Sequence, residues 1–243
     1  MSAIKWISPM IGSEEVLLQG ELIVTGRLID ASNATLLADC IYKEEKIKCI
    51  YKPIAGERPL WDFPDGNLAQ REYAAYLISK HGNFHLVPFT ILRDGPFGPG
   101  MVQQWIDIDE SVDLASFFST DDAQLRKMAL FDAVINNTDR KIGHLLPRSD
   151  GELFGCDHGV TFHHEFKLRT VLWQWAGNAL TRDEEESLKD LSANLDARKI
   201  ENLTSLISEI EYLALINRVD DLLKTRIFPM PSQDWPAIPW PAF

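Results

Sequence analysis

Residues 131–159 set two acidic bends within one short stretch: Phe131-Asp-Ala-Val-Ile-Asn-Asn-Thr-Asp139-Arg140-Lys141-Ile-Gly-His144, then, after a turn, Phe154-Gly-Cys-Asp157-His158-Gly159. The pattern predicts an amphipathic helix, a polar loop, a hairpin and a second acidic loop. Asp139 and Asp157 then lie on neighbouring bends that can converge on one ligand. Two carboxylates so placed suit metal-assisted phosphate chemistry, one taking a proton from a nucleophile while the other holds a divalent cation against phosphate oxygens. The plain alternative for Asn136-Asn137-Thr-Asp139 is a helix end followed by a turn, since Asn and Asp favour both; the catalytic reading is preferred.

Such chemistry needs a phosphate anchor upstream. Lys52 ends the apolar run Lys48-Cys-Ile-Tyr51-Lys52-Pro53, which predicts a strand whose lysine projects from the face opposite Ile50 and the neighbours of Tyr51. Twenty residues on, Leu68, Tyr73, Tyr76 and Leu77 recur at helical spacing and leave Glu72 beside their stripe. A strand lysine facing a helix glutamate is the ion pair that holds nucleotide phosphates in kinase folds. Taken singly, a surface lysine and a solvated glutamate are commoner.

The order strand lysine, helix glutamate, Asn-x-Asp-Arg loop, Asp-x-Gly loop resembles the phosphatidylinositol 3- and 4-kinase-like branch of the protein-kinase superfold. The strings IYKPIAGERPLWDFPDG, LRDGPFGPGMVQQWID, NNTDRKIGH, DHGVTFH and KLRTVLWQWAG are similar to a bacterial, mostly actinobacterial, family described as PI3/PI4-kinase-like, over a stretch from about residue 21 to the last. The resemblance implies an α+β, two-lobed fold. Residues 1–105 would form a lobe with an antiparallel sheet, and residues 106–243 a mainly helical lobe closed by a Pro/Trp-rich strap.

It also implies ATP and Mg²⁺, with Mn²⁺ as a variant, and transfer of the γ-phosphoryl group to a hydroxyl of a small molecule or protein. Lys52 would meet the α- and β-phosphates, positioned by Glu72, and Asp139 would orient or deprotonate the acceptor. Arg140 would brace that loop or neutralise charge, and Asp157 would ligate the metal, with Gly159 allowing the bend. Ser32 and Asn33, in the turn after the first strand, would offer donors to phosphate in place of a glycine-rich loop. Backbone groups at Gln103, Gln104, Trp105 and Ile106 would meet adenine. Related kinases usually carry an asparagine five residues after the aspartate, but this chain has His144. Magnesium prefers oxygen donors, so three states remain open: one metal on Asp157, a Mn²⁺-tolerant site with His144, or a nucleotide-binding pseudokinase acting as a regulatory module. Nucleotidyl transfer on the same fold is a further alternative.

A net charge of −12 argues against nucleic acid or an anionic bilayer as partner. Cys40, Cys49 and Cys156 have no paired spacing, and no apolar run approaches a membrane span, so a soluble cytoplasmic protein is expected. A protein partner remains open.

Strands are predicted at 21–29, 34–42, 86–92 and 100–106, with turns at 30–33 and 94–99. Helices are predicted at 123–136, 181–195 and 200–223, with Thr181 and Glu184 as a capping box. The loop 54–66 reads as a lid packing Trp61 and Phe63 on the lobe, with Arg58 able to reach a phosphate. His163 and His164 would face opposite sides of a strand. Lys167 and Arg169 are candidates for an anionic acceptor, and Trp173 and Trp175 for core or groove positions. Prolines keep 228–243 out of helix, and its Trp235, Trp240 and Phe243 should pack the segment as an extended strap.

Overall fold

A computed structural model describes residues 12–28, 33–58, 60–64 and 66–243. Helix α1 (Ser13–Gln19) precedes strands β1 (Glu21–Arg27), β2 (Leu36–Tyr42) and β3 (Glu45–Pro53), then α2 (Leu68–His81), β4 (Thr90–Gly95) and β5 (Gly98–Gln104). The five strands form one antiparallel sheet in the order β1-β2-β3-β5-β4. Next come α3 (Leu114–Phe117), α4 (Ala123–Ile135), the hairpin β6 (Leu145–Pro147) and β7 (Leu153–Gly155), α5 (Arg182–Asp196), α6 (Leu203–Leu206) and α7 (Glu209–Thr225).

Burial follows the pleat. In β3, Cys49, Tyr51 and Pro53 turn inward, and Cys49 and Tyr51 join Val16, Leu17, Ala38, Cys40 and Val102 in the sheet's own core. The larger core is helical, and it includes Ala74, Ala75 and Ile78 of α2 beside Phe131, Leu188 and Leu215. Helix α2 therefore couples sheet to helices. The buried pair Arg71–Glu211 at 2.7 Å locks it to α7, and Arg71 also donates to the Thr161 carbonyl.

Several predicted bounds are corrected. The strand expected at 86–92 begins at Thr90, because His85 adopts φ 53° and Pro88 has no N–H to give a ladder. The turn expected at 94–99 is only Pro96–Phe97, since Gly95 and Gly98 already pair. The helix expected at 200–223 is two: Ser208 is extended and starts α7 through a capping box with Glu211. The Thr181–Glu184 box at the start of α5 is present. His163 and His164 are not in a strand; their rings stack at 4.5 Å.

Trp61 does not pack as expected: it is 84% exposed, while Phe63 is buried edge-on to His163 with the Arg71 guanidinium over its ring. The tail crosses the helical side. The Ala237 carbonyl accepts from Thr170 N–H and from Trp173 Nε1, and the Ala242 carbonyl accepts from Ile142 N–H. Of its aromatics, Trp235 is half-buried, whereas Trp240 and Phe243 are exposed, contrary to the expected packing. The three cysteines are free thiols. Among the described residues no helix is long and apolar enough to cross a membrane.

Candidate active site

Strand β3 and helix α2 deliver the first ion pair. Lys52 Nζ donates to Glu72 Oε1 at 2.6 Å and to Asp157 Oδ1 at 2.8 Å. Ile50 lies on the same face as Lys52, because side chains two apart in a strand point the same way; the expectation that they oppose each other is corrected. Glu72 is not a solvated helix residue but 1% exposed, and its second oxygen accepts the His158 N–H at 2.9 Å. Burial alone would lower the Lys52 pKa; the adjacent Asp157 and Glu72 outweigh it and leave the amine firmly protonated. The same ammonium holds the Asp157 carboxyl well below the usual carboxylate range. The start of α2 is fixed by Asn67, which caps Gln70 N–H, and by Glu57, whose carboxylate accepts the N–H groups of Leu68 and Ala69.

Helix α4 ends where Asn136 takes a left-handed conformation, a shape Asn tolerates. Its amide donates to the carbonyls of His163 and Glu165, tying the loop to the segment beyond Asp157. Asn137 bridges inward: its amide donates to Asp132, and its oxygen accepts the Asp139 N–H. That fixes the backbone from which Asp139 projects, with Lys141 Nζ 3.4 Å from its carboxylate. Burial raises the Asp139 pKa, Lys141 opposes it and Asp157 adds to it, leaving the net shift upward.

Arg140 faces the other way. It is fully buried, gripping Asp132 through Nε and Nη2 and donating to the Cys156 carbonyl, with Nη2 2.7 Å from His158 Nε2. The expected bracing role describes its contacts. Arg140 is not on the wall of the cavity that Asp139 lines.

The bend at the second loop is corrected too. Asp157 itself takes the left-handed conformation, φ 62°, while Gly159 does not. Gly159 is small for another reason: an added Cβ would sit 3.1 Å from Leu68 Cβ at the start of α2. His144 Nε2 stands 3.5 Å from Asp157 Oδ2, and its Nδ1 accepts the Lys141 N–H at 3.4 Å. Burial lowers the His144 pKa to about 4, so the ring is neutral and its proton belongs on Nε2, toward Asp157. The neutral ring thus stands beside the carboxylate of Asp157.

Two cavities meet at these residues. One, of about 410 Å³, is lined by Lys52, Glu72, Asp139, Asp157 and Asn33. The other, of about 270 Å³, is walled by Leu28, Ile50, Trp105, Ile106, Ile108 and Leu146. Lys52 and Asp157 belong to both. Gln103 and Gln104 line the apolar cavity. However, the N–H of Gln104 donates to the Phe89 carbonyl and that of Trp105 to the Lys48 carbonyl, and the Gln103 amide donates to Thr90. Those donors are spent within the protein, which leaves the segment at Ile106. Asn33 accepts the Arg58 N–H, and Arg58 is not on the larger cavity's wall. Ser32, the turn residues 30–32 and residues 1–11 lie outside the described residues.

Sequence reasoning did not find Asp132, Glu57, Trp61, Trp235 or Trp240 as site residues. Asp132 had one signal, an acid inside the apolar run Leu130 to Ile135 of a helix. The tryptophans had none, because only tertiary folding brings them to the cavity.

The arrangement is that of a kinase-like fold. It is similar to the crystal structure of the Golgi casein kinase, with a TM-score of 0.58 at 11% identity, covering 87% of this chain and 73% of that one. The proinflammatory kinase CtkA of Helicobacter pylori aligns with a TM-score of 0.48 at 13% identity, over 86% of this chain and 94% of that one. No protein-family model matches. Protein Rv2133c of Mycobacterium tuberculosis is 41% identical over 263 aligned residues, covering 94% of each chain. This chain belongs to the family of that protein.

Proposed function

We propose that this protein is an ATP-dependent phosphotransferase of the PI3/PI4-kinase-like type, acting on a hydroxyl acceptor. The supporting observation is the Lys52 amine, in contact with Glu72 and Asp157, on the wall of a cavity that also holds Asp139. The lobes divide near residue 105. The base of ATP would enter the apolar cavity beside Ile50 and Ile106, and its phosphates would pass Lys52 toward Asp139. Asn33 lines the larger cavity.

Two carboxylates in one cavity fit a magnesium ion that completes its shell with phosphate oxygens and water. Among the described residues no cluster of three or more His, Cys, Asp or Glu side chains could hold a metal unaided. When bound, such an ion neutralises charge on the transferring phosphoryl group. Asp157 would hold it, kept ionised by Lys52 and steadied by His144. Asp139, with its raised pKa, accepts the acceptor's proton. Glu72 keeps Lys52 from swinging away, and the His158 N–H keeps Glu72 in place.

A nucleotide-binding pseudokinase is the second reading, favoured by the imidazole of His144 beside the proposed metal position at Asp157. Thermal melting with ATP, Mg²⁺ or Mn²⁺ and product analysis separate the outcomes. A metal-dependent rise in Tm that Asp157→Ala abolishes, with ADP formation lost in Asp139→Ala, is expected. Binding without turnover selects the pseudokinase, and pyrophosphate release selects nucleotidyl transfer. No shift with any nucleotide sinks both leading readings.

A further inference from the structure

The larger cavity, which Asp139 lines, is also lined by tryptophans from two distant segments. Trp61 comes from the loop before α2 and Trp240 from the tail, and both line the cavity. They are 84% and 93% exposed, an uncommon state for the largest apolar side chains. Neither is the product of a loose strand end. The tail is anchored on both sides of Trp240, through the carbonyls of Ala237 and Ala242. Trp61 is joined to the tail through Lys167, whose Nζ lies 5.6 Å from the Trp61 ring and 4.6 Å from the Trp235 ring. Both exposed indoles thus line the cavity from anchored segments.

Charge narrows what that is. The cavity wall carries three basic and five acidic side chains. Lys52 is taken by Glu72 and Asp157, and Lys141 pairs with Asp139. Only Arg169, which braces the loop by donating Nε to the Thr138 carbonyl, has no salt bridge among the described residues. An anionic acceptor would therefore meet an acidic wall. An amine would find the Trp61 and Trp235 rings already engaged by the buried Lys167 ammonium, which pairs with Asp62 and Glu165. About 410 Å³, shared with the transferring phosphoryl group, admits a molecule of roughly monosaccharide size rather than a folded chain. Exposed indole faces, hydrogen-bonding Asp62 and Thr138, and no net cation suit a molecule with hydroxyls around its edge and polarised C–H groups on its face.

We propose that the acceptor is a neutral sugar or polyol, stacked on Trp61 and Trp240 with one hydroxyl at Asp139. This rests on the phosphotransferase reading. In the step, the acceptor oxygen forms a bond to the γ-phosphorus, the bond from that phosphorus to the β,γ-bridging oxygen breaks, ADP leaves with the electron pair, and the hydroxyl proton passes to the Asp139 carboxylate.

Saturation-transfer NMR on the full chain without nucleotide tests the site directly, using neutral hexoses, pentoses and linear polyols, with amino sugars, sugar phosphates and an acidic serine peptide as comparators. Contact with neutral members through their C–H protons is expected, weakened roughly tenfold in Trp61→Ala and in Trp240→Ala, with circular dichroism melting as the folding control. Contact confined to charged sugars or the peptide, contact with nothing, or affinity unchanged in both variants overturns it. Since the readout needs no nucleotide, absent ATP binding sinks the phosphotransferase reading by itself. ATP binding without sugar contact sinks only this one.

Discussion

Lys52 Nζ and Asp157 Oδ1 stand 2.8 Å apart although 105 residues separate them in sequence. The lysine's other contact, Glu72, is buried and the aspartate is half open, 1% against 52% of side-chain surface, so the two halves of this clamp differ in what their loss costs. Lys52→Met should destabilise the fold by about 3 kcal/mol, because it strands the Glu72 charge in the interior. Asp157→Asn should cost less than about 1 kcal/mol in stability while removing metal-dependent nucleotide protection. Urea denaturation of both variants measures this; equal losses would show that Glu72 finds another partner.

The raised pKa of Asp139 predicts the acid side of the pH profile. A base must be ionised to accept a proton, so phosphotransfer should fail on acidification at a pH above the ordinary carboxylate range. The acid limb of kcat/KM against pH reads this. Lys141→Ala removes the cation that opposes the shift and should move the limb to still higher pH.

His144 gives a separate pH dependence, in stability. Its folded pKa, about 4, lies below the ordinary value of 6.5, so between those two the unfolded chain binds a proton that the folded one refuses. The contribution is full above 6.5 and is lost as the pH falls toward 4, by up to roughly 3 kcal/mol. His144→Asn should flatten the stability curve in that window, as followed by denaturant midpoints. Buried His158 acts in the same direction and remains in the variant.

Gly159→Ala tests the packing account of the second loop. The added methyl presses on Leu68 Cβ at 3.1 Å, at the first turn of the helix that carries Glu72. A loss of about 1–2 kcal/mol is expected, together with weakened nucleotide protection. An unchanged melting temperature would mean that α2 yields freely at its start.

Features set by local chemistry were readable in the chain. The Thr181–Glu184 box and the helix stop at Asn136 each depend on neighbours within a few residues. The same logic applied to Ser208 and Glu211 marks the break that a continuous apolar stripe conceals. The four residues Lys52, Glu72, Asp139 and Asp157 are brought to one cavity, but their order alone did not reveal which loop residues face inward. Asp139 and Arg140 are adjacent in sequence and opposite in environment, because the turn after Asn137 rotates one toward the cavity and the other into the core. The placement of Trp61 and Trp240 depends on a tail docked across the helices, a long-range event with no periodic trace.

The Arg140–Asp132 pair has a consequence for variant libraries. Both side chains are wholly enclosed at 2.9 Å from each other, so altering either one leaves an orphan ion inside the fold. A screen scored on product alone would rank position 140 beside position 139 and count two active-site positions. Scored in parallel for cellular abundance, the first should vanish from the soluble pool while the second accumulates as intact, idle protein.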